Sequence, residues 1–347
     1  MSRILLAGDH FVRNDLLADR LRDAVGHPVE LRTLTLPWPH VPFGPVAEVD
    51  EASDAEDEML PLLDGVEVLV TQMAPVTRRV LAAARSLRLV VCTRGGPVNV
   101  NVPECTARGV LVCNTPGRNA VAAAEHAVTL ILSTVRAIPR IHSTVAAGQW
   151  RSDLYAYDEC GLELGGSTIG LVGYGAIGRR VAAILRAFGA HVLVTDPYVT
   201  AADLPDGLAL VELGELLARS DVVSLHTRLT PATAGLIDAA ALAAMRPGSY
   251  LVNSARGGLV DYDALAAALD RDHLAGAGLD VFPAEPPPPD WPLLRSDRVV
   301  MTPHLAGATR QTAHRAAELA AAAVAAWVAG DTPSDLVNPE VAGGPPG

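Results

Sequence analysis

Apolar residues in this chain gather into short unbroken runs, separated by stretches in which they recur every three or four positions. A short apolar run bounded by turn residues reads as a buried strand, and the three-and-four spacing reads as a helix. The strand-like runs are Ile4 to Ala7, Val66 to Thr71, Leu89 to Cys92, Ile169 to Val172, His191 to Thr195, Val222 to Leu225, Ser249 to Asn253, Ala275 to Asp280 and Val299 to Thr302. Helical segments lie between them, and this alternation predicts an α/β protein built on parallel sheets wound by helices. Two longer helices are expected, at about Ala120 to Ala137 and about Thr309 to Ala329. The first is apolar on most faces, so it is buried in a core or at a joint between domains or subunits. The acidic run from Asp50 to Glu58 reads as a solvated helix face. Pro37 to Pro42 and the Pro-Gly-rich tail after Pro339 read as loop or disorder by composition.

One junction in this pattern carries chemistry. The run Ser167 to Gly173 leads into Gly173-x-Gly175-x-x-Gly178, and apolar residues then fall at Ile177, Val181, Ile184, Leu185 and Phe188. Strand, glycine triplet and helix in that order form the dinucleotide fingerprint. Gly173 makes the tight turn, Gly175 lets a pyrophosphate approach the backbone, and Gly178 lets the helix pack on the sheet. Free N–H groups and the dipole at the helix N-terminus hold the phosphates. The next strand ends at Asp196, whose carboxylate is placed for the ribose hydroxyls and repels a 2′-phosphate, which favours NAD over NADP.

About 160 residues with their own β-α alternation precede the fingerprint, so another domain must use them. If the helix after Thr309 returns to that domain, the domain is discontinuous. The expected arrangement is two Rossmann-like, doubly wound parallel-sheet domains. Residues 1–114 and 309–347 form a flavodoxin-like substrate domain, and residues 115–308 form an inserted NAD-binding domain.

Composition narrows the setting. The formal net charge is -12, and the 27 basic residues are all arginine, which argues against a nucleic-acid or anionic-membrane surface. The N-terminus lacks a basic region followed by a sustained apolar stretch, and Ala120 to Val135 holds Glu125 and His126, so neither a signal peptide nor a membrane span is expected. The four cysteines, Cys92, Cys105, Cys113 and Cys160, are scattered, which fits a reducing cytoplasm and no metal site.

Three polar residues stand at the ends of apolar strands, where doubly wound folds bind ligands. Arg256, followed by two glycines, presents a planar cation that can grip a carboxylate and polarise a carbonyl, or forms a surface salt bridge. Glu285, between Pro283 and Pro286, is a carboxylate on a restricted backbone, or an exposed loop residue. His304 can give and take a proton near neutral pH, as alcohol–ketone interconversion demands, and Glu285 is the natural partner to raise its pKa and orient it.

The spans VGYGAIG, NSARGGLVD, GLDVFPAEP and TPHLAG resemble, in order and spacing, the D-2-hydroxyacid dehydrogenase family, and the resemblance runs from about Val66 to Ala329. It implies a homodimer with the active site in the interdomain cleft and the catalytic roles on Arg256, Glu285 and His304. It also implies that Asp280 lies near the nicotinamide carboxamide and that Ala176, Ile177, Thr227 and Ser254 line the cofactor. Gly173, Tyr174, Gly175, Gly178, Asp196, Pro197, Ala255 and Gly307 complete the expected cofactor set. The substrate carboxylate is expected on backbone N–H groups of the loop Thr93 to Pro97, with Arg94, Gly95 and Gly96 as its substrate-binding residues. A hydride then moves between nicotinamide C4 and C2 of the acid while His304 handles the hydroxyl proton.

The loop also departs from the family pattern. Arg94 adds a cation and Asn99 replaces an acid. Either change serves a second anionic group on the substrate, such as phosphate, phosphonate or another carboxylate, or else Arg94 pairs with a loop acid. The Val70 to Pro75 loop lacks the arginine of members acting on phosphoglycerate, and no regulatory domain follows, which lowers that substrate. Tyr155 and Tyr157 either hydrogen-bond a substrate or pack at the joint. The rival readings are an NADH-sensing corepressor-like binding protein and a phosphite-dehydrogenase-like enzyme.

Overall fold

The computed structural model describes residues 2–40 and 42–342. The chain divides into two compact units, Met1–Asn119 with Ala308–Gly347, and Ala120–Gly307.

In the first unit, β1 (Arg3–Gly8), α1 (Asn14–Ala24) and β2 (Glu30–Thr35) precede a hairpin of β3 (Gly44–Val46) and β4 (Val49–Ala52). The single turn α2 (Glu56–Met59), β5 (Val68–Thr71), α3 (Arg78–Ala83), β6 (Leu89–Cys92), α4 (Val102–Ala107) and β7 (Leu111–Cys113) follow. Five strands form one parallel sheet in the order β2-β1-β5-β6-β7. Every residue of β5 and β6 is buried, as expected of central strands covered on both faces. The chain winds from β1 out to β2 and then crosses back to β5, so the sheet reverses direction between β1 and β5. In such sheets that reversal opens a crevice at the carboxyl ends of the strands.

The acidic stretch does not form one helix face. Its first part is the edge of the β3-β4 hairpin, and only Glu56–Met59 turns helically. Strands β2 and β7 escaped the apolar-run pattern for physical reasons. β2 is an edge strand whose sequence ELRTLT holds only two apolar residues, three positions apart, and β7 is three residues long.

The second unit opens on α5 (Ala120–Val135) and α6 (Ile138–Ala146). It continues with β8 (Thr168–Val172), α7 (Ala176–Ala187), β9 (His191–Thr195), β10 (Leu208–Leu210), α8 (Leu213–Arg219) and β11 (Val222–Leu225). Then come α9 (Ala239–Ala244), β12 (Ser249–Asn253), α10 (Tyr262–Asp270), β13 (Leu274–Leu279) and β14 (Val299–Met301). All seven strands are parallel, in the order β10-β9-β8-β11-β12-β13-β14, and the reversal falls between β8 and β11. Apolar clusters fill both faces of this sheet, one around Leu251, Leu265 and Leu279 and one around Ile131, Leu171 and Val181.

α5 stops at Val135 because Ala137 takes a left-handed conformation, φ 48°, and Pro139 sits in the first turn of α6. α5 is mostly buried, whereas α6 buries none of its residues. No single helix among the described residues is long and apolar enough to cross a membrane.

The last helix, α11 (Arg310–Val328), belongs again to the first unit. Its buried Ala316, Ala317, Ala320 and Val324 pack with Leu17 and Leu21 of α1 over Ile4, Val68 and Val91 of the sheet. Small alanines let the helix approach that sheet closely.

Candidate active site

The glycine loop joins β8 to α7 at the reversal of the second sheet. Gly173 has φ +104°, and a Cβ there would lie 2.8 Å from the backbone N of Thr227, at the end of the neighbouring β11. A Cβ at Gly178 would lie 2.2 Å from the carbonyl oxygen of Gly173, so helix and loop meet closer than any side chain allows. Gly175 is different: nothing lies within 4 Å of a Cβ built there. No group among the described residues accepts from the N–H of Ala176, Ile177 or Gly178. Open space above unclaimed donors at a helix N-terminus fits a pyrophosphate.

Asp196 closes the loop from the end of β9. Its Oδ2 accepts from the Tyr174 N–H (2.7 Å) and its Oδ1 from the Tyr198 N–H (2.9 Å), which fixes the carboxylate and leaves lone pairs for hydroxyl groups. Behind the loop, His226 Nε2 shares a hydrogen bond with Ser224 Oγ at 3.0 Å, and burial pushes its pKa down to about 4, so it stays neutral. Thr227, Ser254 and Ala255 lie just beyond strand ends in this unit, Gly307 lies in the segment between β14 and the last helix, and Pro197 follows Asp196 on the surface.

Arg256, Glu285 and His304 come together in the second unit. His304 Nδ1 donates to Glu285 Oε2 at 2.7 Å, leaving Nε2 as the nitrogen free to exchange a proton. That bond raises the His304 pKa; burial opposes it, the charges of Glu285 and Asp280 reinforce it, and the charge of Arg256 lowers it. Glu285 is pushed up by burial, but the His304 hydrogen bond and charge outweigh this and hold its pKa below the usual value. Its Oε1 also accepts from the Phe282 N–H (3.1 Å). Arg256 is exposed and forms no ion pair among the described residues, so its charge is available.

Two loops must stay close for this geometry. A Cβ at Gly257 would lie 1.8 Å from the carbonyl oxygen of Phe282, so only glycine lets the Arg256 turn touch the Glu285 loop. Asn253 and Tyr262 tie the same two segments. Asn253 Nδ2 donates to the Arg256 carbonyl (2.9 Å) and to the Tyr262 hydroxyl (3.2 Å), which donates in turn to the Val281 carbonyl (2.8 Å).

Asp280 has no exposed surface, and its oxygens hold the His304 turn. Oδ1 accepts from the Thr302 hydroxyl (2.6 Å) and the Leu305 N–H (2.8 Å), and Oδ2 from the Ala306 N–H (2.8 Å). Burial alone would raise its pKa, but these bonds together with His126 lower it. They also hold His304 at φ +55°, a left-handed conformation that costs a non-glycine residue about 1–3 kcal/mol. His126 on α5 completes the chain, its Nε2 standing 2.9 Å from Thr302 Oγ1 and 3.3 Å from Asp280 Oδ1. Because the single hydroxyl proton of Thr302 goes to Asp280, His126 must donate to Thr302 from a protonated Nε2.

In the first unit, the Arg94 to Pro97 loop follows β6. No group among the described residues accepts from the N–H of Gly95 or Gly96, and a Cβ at either meets nothing within 4 Å. The two departures from the family pattern are committed elsewhere. Arg94 makes a two-pronged pair with Glu51, Nη1 to Oε1 at 3.1 Å and Nη2 to Oε2 at 3.3 Å. Asn99 is buried, donating to the Ala74 carbonyl (2.7 Å) and accepting from Cys92 Sγ (3.3 Å), so it braces its loop. Tyr155 and Tyr157 are both 92% exposed.

Residues 128–306 match the family model described as D-isomer specific 2-hydroxyacid dehydrogenase, NAD binding domain. The chain is 41% identical over 328 residues to a D-3-phosphoglycerate dehydrogenase of Mycobacterium leprae, an alignment covering 93% of this chain and 58% of that protein. The chain therefore spans little more than half the length of that relative. To a glyoxylate reductase of Thermofilum pendens it is 40% identical over 269 residues, covering 77% of this chain and 79% of the relative. A crystal structure of a Thermus thermophilus protein superposes with a TM-score of 0.79 at 34% identity, over 96% of this chain and 99% of that one.

Proposed function

The chain belongs to the D-isomer specific 2-hydroxyacid dehydrogenase family, and from that premise we propose that it is an NAD-dependent oxidoreductase interconverting a D-2-hydroxy acid and its 2-keto acid. The observation that carries this reading is the 2.7 Å His304–Glu285 pair, with the unpaired charge of Arg256 near enough to act on His304.

When bound, the cofactor supplies or accepts a hydride at nicotinamide C4. The open glycine loop and the free donors of α7 hold its pyrophosphate, and Asp196 receives ribose hydroxyls. The N–H groups of Gly95 and Gly96 receive the substrate carboxylate. Arg256 orients the carboxylate and polarises the C2 carbonyl, where negative charge develops during reduction. His304 Nε2 gives its proton to that oxygen in reduction and takes it back in oxidation. Glu285 keeps the imidazole protonated until the proton leaves. Asp280, Thr302 and His126 act through His304 as positioning residues, by fixing the turn that presents it.

The test is NADH oxidation with a panel of 2-keto acids. Turnover is expected with wild type, and His304→Ala should lose about 10²–10⁴-fold in kcat while NADH binding, read by fluorescence, is retained. An unchanged rate would remove His304 from the chemistry. Absence of turnover with every acid would favour a dinucleotide-sensing role instead; the enzyme names of the relatives favour turnover.

The reading extends to a cytoplasmic homodimer. Four free cysteines suit a reducing compartment. Ile138, Val145, Trp150, Tyr155 and Tyr157 are exposed within one short segment, and so much apolar surface in one place suits burial against a second copy.

A further inference from the structure

At the reversal point of the first sheet, the segments after β1 and β5 bring Asp9, Phe11 and Gln72 around the partly buried guanidinium of Arg118. Arg118 forms no ion pair among the described residues. Its Nη1 donates to Gln72 Oε1 at 3.3 Å, and its Cζ lies 5.6 Å from the centre of the Phe11 ring. A guanidinium carries five N–H donors, so most of this fork has no protein acceptor. Burial, reinforced by the nearby charge of Arg94, pushes the Arg118 pKa down to about 10. The charge of Asp9 offsets this only in part, and no hydrogen bond joins the two. Asp9 Oδ1 is held by the N–H groups of Phe11 (2.8 Å) and Val12 (2.7 Å), and burial raises its own pKa. Arg94, in contrast, is matched by Glu51.

We propose that Arg118 is the receptor for a second oxyanion on the substrate, so that the enzyme acts on 2-keto and 2-hydroxy acids carrying a further carboxylate or phosphate-type group. This rests on the reading that the first carboxylate is received at Gly95 and Gly96. Three observations support it: a desolvated cation with open donors, its place at the crevice where doubly wound sheets bind ligands, and the unclaimed N–H groups in the same unit. A planar fork matches the paired oxygens of carboxylate and phosphate alike, so both belong to the class.

The experiment compares kcat/KM with NADH for acids matched in length, 2-oxoglutarate against 2-oxopentanoate and 3-phosphohydroxypyruvate against hydroxypyruvate. Wild type is expected to favour the dianion at least tenfold in one pair, and the pair that shows it identifies the group. Arg118→Gln should collapse that ratio toward one, mainly through KM. Gln72→Glu supplies an internal carboxylate and should collapse it too while raising Tm, which separates loss of the site from loss of the fold. No preference in wild type, or a preference that survives both variants, overturns the proposal. If no keto acid turns over at all, the dehydrogenase reading fails separately. The site is then read by thermal shift with malonate and inorganic phosphate: stabilisation of wild type but of neither variant supports it, and equal shifts in all three overturn it.

Discussion

His304 and Glu285 stabilise each other's charged forms, and the sign of each shift gives a pH dependence. His304 is raised from 6.5, so its contribution to stability is full below that value and is lost as pH rises through the higher folded pKa. Glu285 is lowered from 4.5, so its contribution is present above that value and is lost as pH falls through the lower folded pKa. Keto-acid reduction needs protonated His304, so its rate should fall on an alkaline limb lying above 6.5. Glu285→Gln removes the largest cause of the shift and should move that limb to lower pH in a kcat/KM profile; a limb that stays put would take Glu285 out of the pair. These residues were legible because each sits in a short string whose neighbours mark a strand end. His126 was not, because its partner Thr302 lies 176 residues away and a histidine on an apolar helix carries no local sign of what it will meet. Whether Arg94 is free or paired could not be read for a similar reason: its acid is 43 residues upstream on a hairpin that the apolar pattern did not reveal.

Elements place the chemistry through two close approaches, at the glycine loop and at Gly257. Gly257→Ala would drive a methyl group into the Phe282 carbonyl, costing about 1–3 kcal/mol of stability. Separating the Arg256 turn from the Glu285 loop by about 1 Å should lower kcat/KM by about 10²-fold, as steady-state kinetics would measure alongside a Tm. A variant with native kinetics would mean that the contact between these loops is dispensable. Central strands were readable as unbroken apolar runs because parallel strands are buried on both faces. Several runs, such as Leu89–Cys92 and Val222–Leu225, have the observed limits. Three strands at or near the sheet edges were not readable: β2 holds only two apolar residues, Leu31 and Leu34, and β7 and β10 are too short to stand out from loops, whereas the equally short edge strand β14 showed as the apolar run from Val299.

At the scale of the whole molecule, the exposed aromatics after α6 give the assembly reading its test. Trp150→Arg with Tyr155→Arg should shift sedimentation from dimer to monomer without lowering helix content, and an unchanged sedimentation coefficient would mean that this face is not the contact. The route of the chain has another consequence. One face of the first unit's sheet is covered only in part, by α1, until α11 packs beside it, and α11 ends at Val328, whereas the second unit lies wholly within Ala120–Gly307. At ~5–20 residues per second, a ribosome takes roughly 10 to 40 s to pass from residue 119 to residue 328. During that interval the half made first waits with apolar surface uncovered, while the half made second already has every segment it needs. Birth order and folding order are thus reversed, and the nascent chain is most exposed to aggregation just before its last long helix emerges.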